Sequence, residues 1–138
     1  MFTSCCPAWV KYAELFYPEL LSNISTCKSP ISMQGTIIKT YFAKKVNIDP
    51  NNIVNVVVAP CTAKKAEIKR KELSKTNQDN DYVITTRELA KLLKKHNINL
   101  EECKEEEFDS PLGDGSGAGV IFGNTGGVTE AAFRTAYY

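Results

Sequence analysis

The stretch IVNVVVAPCTAKKAEIKR, residues Ile53–Arg70, indicates the fold class of this sequence. Its first part, Ile53–Ala59, is short, β-branched and nearly all apolar, which is typical of a strand buried on both faces of a parallel sheet. Pro60 and Cys61 end the strand, and the polar, helix-prone segment Thr62–Arg70 follows them. In α/β folds, ligands bind where a strand's carboxyl end meets a helix. We therefore predict an α/β fold with a candidate site at this junction.

Further helices and a second strand are predicted on both sides of this junction. Proline at a first helical position, or a hydroxyl side chain at the N-cap, marks where helices begin. The predicted elements are helix Pro7–Phe16, a helix from the Ser29 cap to about Ala43, strand Tyr82–Ile84, a helix from Thr85 or Thr86 to about Lys95, and helix Val128–Tyr138. We expect helices packed on a small, mainly parallel sheet.

Composition places the chain among ordinary globular proteins, with 43% hydrophobic and 24% charged residues and a net charge of +1. This charge balance favours neither nucleic acid nor a membrane surface as partner. No apolar run approaches the ~20 residues of a membrane span, and no secretory signal is recognisable. The five cysteines suggest no disulfide framework. We expect a cytoplasmic protein whose reduced thiols serve metal or redox chemistry.

Two neighbouring cysteines lie in the stretch FTSCCPAW, Phe2–Trp9. Because Pro7 begins a helix, Cys5 and Cys6 lie at or just before its N-terminus, where the helix dipole stabilises a thiolate. Adjacent side chains in an extended lead-in point in different directions, so the two thiols need not share one role. The alternative is that both are small buried hydrophobic residues.

Cys6 and Cys61 lie at two separate helix starts. If both starts face the same edge of the sheet, two thiolates converge, which favours a soft metal such as zinc or an iron–sulfur cluster. Such a cluster takes four cysteines, however, and the sequence contains no CxxC pair. Lys64 and Lys65 have two possible roles. Their ammonium groups either point towards an anionic ligand or form a solvated helix face.

Glycines are concentrated between Ser110 and Gly127. Gly113, Gly115 and Ala118 match a loose GxGxxA pattern, a weak nucleotide-binding signal that here follows an acidic loop instead of a strand. We favour the interpretation that these glycines let the backbone approach another group closely around Phe122.

TSCCPAW (Thr3–Trp9) and PCTAKKAE (Pro60–Glu67) together resemble two of the three signature stretches of the iron-only ([FeFe]) hydrogenases, which surround the active-site H-cluster. Further matching stretches are YPELL (Tyr17–Leu21), KSP (Lys28–Pro30), ITTREL (Ile84–Leu89) and SGAGVIFGNTGGVTEAA (Ser116–Ala132). The resemblance covers essentially the whole chain. It implies that the α/β fold is roughly one lobe of the two-lobed catalytic domain of these enzymes.

The resemblance also implies a role for each matching residue. Cys6 and Cys61 would ligate the [4Fe–4S] half of the H-cluster. Cys5 would pass protons to the bridging amine of the diiron half, with Ser25 next along that path. Lys64 would bond a cyanide ligand of the distal iron, a charge-assisted contact. Four further residues would border the diiron site: Ala59, Pro60, Phe122 and Val128.

The implied reaction is the reversible conversion of two protons and two electrons into dihydrogen, with ferredoxin or a similar carrier as electron partner. The third signature, which supplies the other two cubane cysteines, would lie beyond Tyr138. We therefore interpret residues 1–138 as a partial H-cluster catalytic domain, truncated at both ends, that needs the remainder of the hydrogenase chain and is inactive alone. Ala59 stands where many family members have a methionine.

Three alternatives to a catalytic hydrogenase remain open. The first is a non-catalytic relative that takes part in iron–sulfur assembly or nuclear recognition. Such relatives generally lack the proton-relay cysteine or the PCTAKK motif, and both are present here. The second is a sensory hydrogenase-like module, with Ala59 as a changed pocket residue. The third is a metal-free protein in which Cys5 and Cys6 cycle as a disulfide, which leaves Cys61 and Lys64 unexplained.

Overall fold

The structure, a computed structural model, describes residues 1–74 and 78–137. The chain forms two units: the first contains Met1–Cys27 and Asp109–Tyr138, and the second contains Lys28–Phe108. The helices are α1 (Pro7–Phe16), α2 (Pro30–Ile37), α3 (Ala43–Lys45), α4 (Ala63–Glu67), α5 (Thr86–Lys95), α6 (Ala118–Ile121) and α7 (Gly127–Tyr137), and the strands are β1 (Val56–Ala59) and β2 (Tyr82–Thr85). Tyr138, where the predicted last helix ends, lies outside the described residues.

In the first unit, α1 begins and ends at the predicted residues. Pro7 occupies its first position, and Tyr17 ends it because the residue before a proline is disfavoured in helical geometry. Ala13, on the inner face of α1, is fully buried. Helix α6 is not predicted from the sequence, since its glycine-rich surroundings have low helix propensity.

In the second unit, Ser29 caps α2 by accepting a hydrogen bond from the Ser32 backbone N–H, as predicted. The helical run continues through a π-helical segment, Ile38–Phe42, into α3, so the predicted helix to about Ala43 is confirmed. The π-helical segment carries Lys39, which is buried. Its ammonium forms an ion pair with Asp81 at 3.0 Å and donates to the Ile53 backbone carbonyl.

The two strands of this unit pair in parallel, with Val56 beside Tyr82 and Ala59 beside Thr85. Helix α4 follows β1 and helix α5 follows β2, so the predicted α/β arrangement of helices with a small parallel sheet is confirmed. Thr85 caps α5 in a reciprocal capping box with Glu88. Strand β1 starts later than predicted, because the Asn55 backbone and side chain bond to the loop at residues 79–81 instead.

The prediction that β1 is buried on both faces is wrong for the described residues. Val57 and Ala59 face one side with the buried Val83. On the other side Val56 and Val58 are about half exposed, and Tyr82 beside them is 62% exposed. The elements of the structure therefore cover one face of the sheet only. No helix in the part of the chain that the structure describes is long and apolar enough to cross a bilayer.

Replacing Gly35 in α2 with alanine is expected to destabilise the protein by about 1–3 kcal/mol of unfolding free energy. A Cβ at this position would lie 2.6–2.8 Å from side-chain atoms of Asn80. Asn80 is buried and donates to the Ile31 backbone carbonyl at 3.0 Å, so it has little room to move. Urea unfolding measures the change. Gly119→Ala is the matched control: its Cβ meets nothing within 4 Å, and we expect no loss of stability.

Candidate functional site

The predicted site residues are distributed over both units. The first unit contains Cys5, Cys6, Ser25, Phe122 and Val128, and the second contains Ala59, Pro60, Cys61 and Lys64. Within each unit, the structure gives these residues specific surroundings.

Cys6 is the N-cap of α1. Its extended backbone turns the side chain back onto the first turn, where the sulfur accepts a hydrogen bond from the Trp9 backbone N–H at 3.4 Å. This hydrogen bond holds the Cys6 sulfur at the N-terminus of α1. The Cys6 residue is exposed, and the neighbouring Cys5 is less so. All five cysteines lie among the described residues, and none is in a disulfide.

The segment that carries the cysteine pair lies against the segment that carries Ser25. Phe2 accepts from the Ser25 backbone N–H at 2.8 Å, and the Ser4 hydroxyl donates to the Cys27 carbonyl at 2.6 Å. The Ser25 hydroxyl oxygen accepts from the Cys27 backbone N–H at 3.2 Å. Ser25, about twenty residues away along the chain, is thereby held beside the stretch that precedes Cys5.

Phe122 and Val128 line one apolar cavity of about 450 Å³ between α6 and α7. The turn that joins these helices uses two glycines with positive φ, Gly126 at 91° and Gly127 at 41°. A Cβ on Gly127 would lie 3.3 Å from the Phe122 carbonyl oxygen. The expected close backbone approach near Phe122 therefore occurs at Gly127, whereas Gly113 has open space around it.

In the second unit, Cys61 lies on the turn from β1 to α4, as the sequence analysis predicts. Ala59 is the buried end of β1, and Pro60 and Cys61 are exposed. The Cys61 carbonyl accepts from the Lys64 backbone N–H at 3.3 Å, so both residues belong to one tight turn.

The structure distinguishes Lys64 from Lys65. The Lys65 side chain is 40% exposed and pairs with the similarly exposed Glu88, which is the solvated helix face considered above. The Lys64 side chain is 14% exposed and pairs with Glu67 at 2.7 Å. Lys64 is therefore the partly buried cation of the motif.

Glu67 is the residue that the sequence analysis missed. Its buried carboxylate accepts hydrogen bonds from the Ser29 and Ser32 hydroxyls and from Lys64. Burial raises the pKa of Glu67, but these hydrogen bonds and the Lys64 charge outweigh it, so the net pKa lies below the ordinary value of 4.5. The spacing of three residues from Lys64 was the available signal.

Glu88 is expected to make the stability of the protein pH-dependent below pH 4.5. Hydrogen bonds from Lys65 and from the Thr85 backbone lower the pKa of Glu88 to about 2. Because the folded-state pKa is depressed, the stabilisation is present above pH 4.5 and is lost as the pH falls towards 2. Urea unfolding of Glu88→Gln should therefore show a smaller loss of stability over this range than the natural protein. Glu105→Gln, which removes an exposed carboxylate, should leave the pH dependence unchanged.

The described residues contain no group of three or more histidine, cysteine, aspartate or glutamate side chains arranged to hold a metal ion. The donor chemistry nevertheless fits an iron–sulfur cluster in kind, because Cys6 and Cys61 are exposed thiols at helix starts. Two thiols are half of the four that a cubane takes.

A protein-family profile described as the C-terminal domain of the iron-only hydrogenase large subunit matches residues 1–138. Iron hydrogenase 1 of Clostridium pasteurianum is 52% identical over 99% of this chain and 24% of its own length. The periplasmic [Fe] hydrogenase large subunit of Nitratidesulfovibrio vulgaris is 50% identical over 99% of this chain and 32% of its own length. The chain thus spans about a quarter to a third of these relatives.

Solved structures give the same result. An apo [FeFe]-hydrogenase from Chlamydomonas reinhardtii matches with a TM-score of 0.86 and 48% identity, over 99% of this chain and 35% of that one. An [FeFe]-hydrogenase whose structure revealed H-cluster assembly matches with a TM-score of 0.85 and 50% identity, over 99% and 34%. A less similar relative, the cytosolic iron–sulfur assembly component 3 of Bos taurus, is 36% identical over 99% of this chain and 30% of its own length.

Proposed function

The chain belongs to the family of the iron-only hydrogenase large subunit, C-terminal domain, and we propose that the protein containing it interconverts protons, electrons and dihydrogen at an H-cluster. The main support is that each of the two motifs has a local geometry suited to its proposed role. The cysteine pair stands at the capped start of α1, and Cys61 shares the turn after β1 with the partly buried Lys64. Identities of about half to hydrogenases, against 36% to the assembly component, also favour this function.

Cys6 and Cys61 would hold the [4Fe–4S] part of the H-cluster through their sulfur atoms. When bound, the complete H-cluster would supply the electron transfer and the binding of hydrogen that amino-acid side chains cannot supply. The chain contributes two sulfur atoms, and that of Cys6 is already oriented by the hydrogen bond from the Trp9 backbone N–H. Both thiols are exposed, so a cluster can reach them without unfolding either turn.

Cys5 would carry protons between solvent and the active site, with Ser25 as the next group. The Ser25 oxygen already accepts from the Cys27 backbone N–H, so its hydroxyl hydrogen is not used in that bond. The backbone pairing of Phe2 with Ser25 keeps this hydroxyl beside the cysteine segment. A relay of this kind needs groups that both donate and accept a proton, which a thiol and a hydroxyl do.

Lys64 would donate to a cyanide ligand of the cofactor. A lysine ammonium has three N–H donors, so its bond to Glu67 does not exhaust it. Ala59, Pro60, Phe122 and Val128 would border the diiron part. The apolar wall that Phe122 and Val128 form in the first unit would exclude water from it.

We further propose that residues 1–138 form a partial catalytic domain, one lobe of two, which acts with the remainder of a hydrogenase chain. A ferredoxin or a similar carrier would exchange electrons with it. The reduced thiols favour a cytoplasmic location, although one relative is periplasmic by name.

The test is hydrogen evolution by the natural full-length protein. It is loaded anaerobically with a [4Fe–4S] cluster and a synthetic diiron cofactor, and reduced viologen supplies the electrons. We expect sustained hydrogen evolution, and we expect none from the 138-residue chain treated in the same way. Full cofactor loading without hydrogen evolution would instead identify a sensory or assembly protein. Hydrogen evolution by the 138-residue chain alone would contradict the partial-domain proposal.

A further inference from the structure

Glu67 carries a buried carboxylate to which the proposed function assigns no role. We propose that Glu67 is a positioning residue, which holds the Lys64 ammonium in place for the diiron cofactor while Ser29 and Ser32 hold Glu67. This inference rests on the proposed role of Lys64 and concerns how the protein prepares that lysine.

The two oxygens of the Glu67 carboxylate have different partners. Oε1 accepts from the Ser29 hydroxyl and from the Ser32 hydroxyl at 2.7 Å, and Oε2 accepts from the Lys64 ammonium at 2.7 Å. Oε1 is therefore bonded to the two serines at the start of α2, and Oε2 is bonded to Lys64 within α4, the helix to which Glu67 itself belongs. Because a carboxylate is planar and rigid, fixing Oε1 also fixes the direction in which Oε2 receives the lysine.

The anchor on α2 is itself ordered. Ser29 is the N-cap of α2 and Ser32 lies in its first turn, and both residues are buried. The Ser29 hydroxyl oxygen also accepts from the Ser32 backbone N–H at 3.4 Å, which ties the Ser29 side chain to the helix start. Glu67 is thereby positioned by the start of α2, whose N-cap Ser29 lies 38 residues earlier in the chain.

Lys64 needs such an anchor because its side chain is long and flexible. Helix α4 has only five residues, and a lysine side chain has many rotamers whose ordering costs free energy. The ion pair with Glu67, whose side chain is only 5% exposed, orders the ammonium before any cofactor is bound. A buried ion pair is a poor source of stability, since desolvation offsets much of its attraction. Positioning of Lys64 therefore explains the presence of this ion pair better than a gain in stability does.

The neighbouring Lys65–Glu88 pair provides a control within the same motif. Its distance, 2.5 Å, is at least as short, but both side chains are about 40% exposed. A surface pair of this kind orders its lysine weakly. Changes at Glu88 should therefore leave the Lys64 ammonium and the cofactor unaffected.

The first measurement uses the full-length apoprotein. Acetylation of individual lysines by a small amine-reactive ester is followed by mass spectrometry in the natural protein, Glu67→Gln, Ser32→Ala and Glu88→Gln. We expect Glu67→Gln to increase the acetylation rate of Lys64 about tenfold, because a charge-assisted hydrogen bond is lost. Ser32→Ala, which removes one anchor but keeps the ion pair, should give a smaller increase. Glu88→Gln should increase the rate at Lys65 only.

The second measurement is the infrared spectrum of the same proteins after loading with the synthetic diiron cofactor. We expect Glu67→Gln to shift the cyanide bands in the same direction as Lys64→Ala, with no further shift in the double variant. Unchanged acetylation and unchanged bands in Glu67→Gln, with only a lower melting temperature, would overturn the proposal. If Lys64→Ala leaves the bands unchanged, the proposed role of Lys64 is wrong, and the acetylation rates alone decide whether Glu67 orders Lys64.

Discussion

Replacing Cys5 with alanine is expected to lower hydrogen evolution by the loaded full-length protein about 10²-fold or more, while its iron content stays unchanged. A positioned proton donor contributes a rate factor of this size, and alanine has no proton to give. The proposed cluster ligands in this chain are Cys6 and Cys61, so we expect the cofactor to be retained. The measurement pairs hydrogen evolution from reduced viologen with iron analysis of the same sample.

The matched control for Cys5 is Cys103→Ala, which removes an exposed thiol from the second unit. We expect it to leave both the rate and the iron content unchanged. Should Cys5→Ala evolve hydrogen at the natural rate, the proton-relay role would be refuted. A parallel loss of iron in Cys5→Ala would instead mean that Cys5 holds the cluster.

Replacing Cys61 with alanine is expected to abolish hydrogen evolution and to remove most of the [4Fe–4S] cluster. A cubane held by three thiolates in place of four has an open iron site and is readily lost. Iron and sulfide analysis, together with the visible absorption of the cluster, measures the loss.

Cys61 tests cluster binding more cleanly than Cys6 does. The Cys6 sulfur also caps α1, so its removal would weaken the helix as well as the cluster site. The Cys61 side chain is exposed, and the described turn is held by the backbone bond from Lys64 to the Cys61 carbonyl. The apoprotein of Cys61→Ala should therefore keep the natural melting temperature. Retention of the full iron content would contradict the proposed ligand role.

Local sequence signals predicted the elements well where the relevant contacts lie within a few residues. Pro7 and the Tyr17–Pro18 pair set both ends of α1 through backbone geometry. Ser29 and Thr85 cap the helices that follow them, because each side chain bonds a backbone N–H three residues ahead. The candidate site could be predicted from the sequence for the same reason, because Cys6 and Cys61 each stand at the start of a helix.

The interactions that the sequence did not reveal join residues far apart in the chain. Whether a face of β1 is exposed depends on which elements cover the sheet. An apolar run in the sequence does not indicate which elements do so. Ser25 comes beside the cysteine segment through its backbone bond to Phe2. Glu67 meets Ser29 and Ser32 across 38 and 35 residues.

The sequence by itself therefore determined the starts of α1, α2 and α5, the parallel α/β class and the family to which the chain belongs. The helix starts depend on short-range sterics and capping, which nearby residues specify, and the class and family follow from the order and spacing of such local patterns along the chain. Only the tertiary structure decided that Lys64 is the partly buried lysine of its motif and that Glu67 holds it. Burial and long-range hydrogen bonds exist only once distant segments have packed together, and neighbouring positions in a sequence carry no record of that packing.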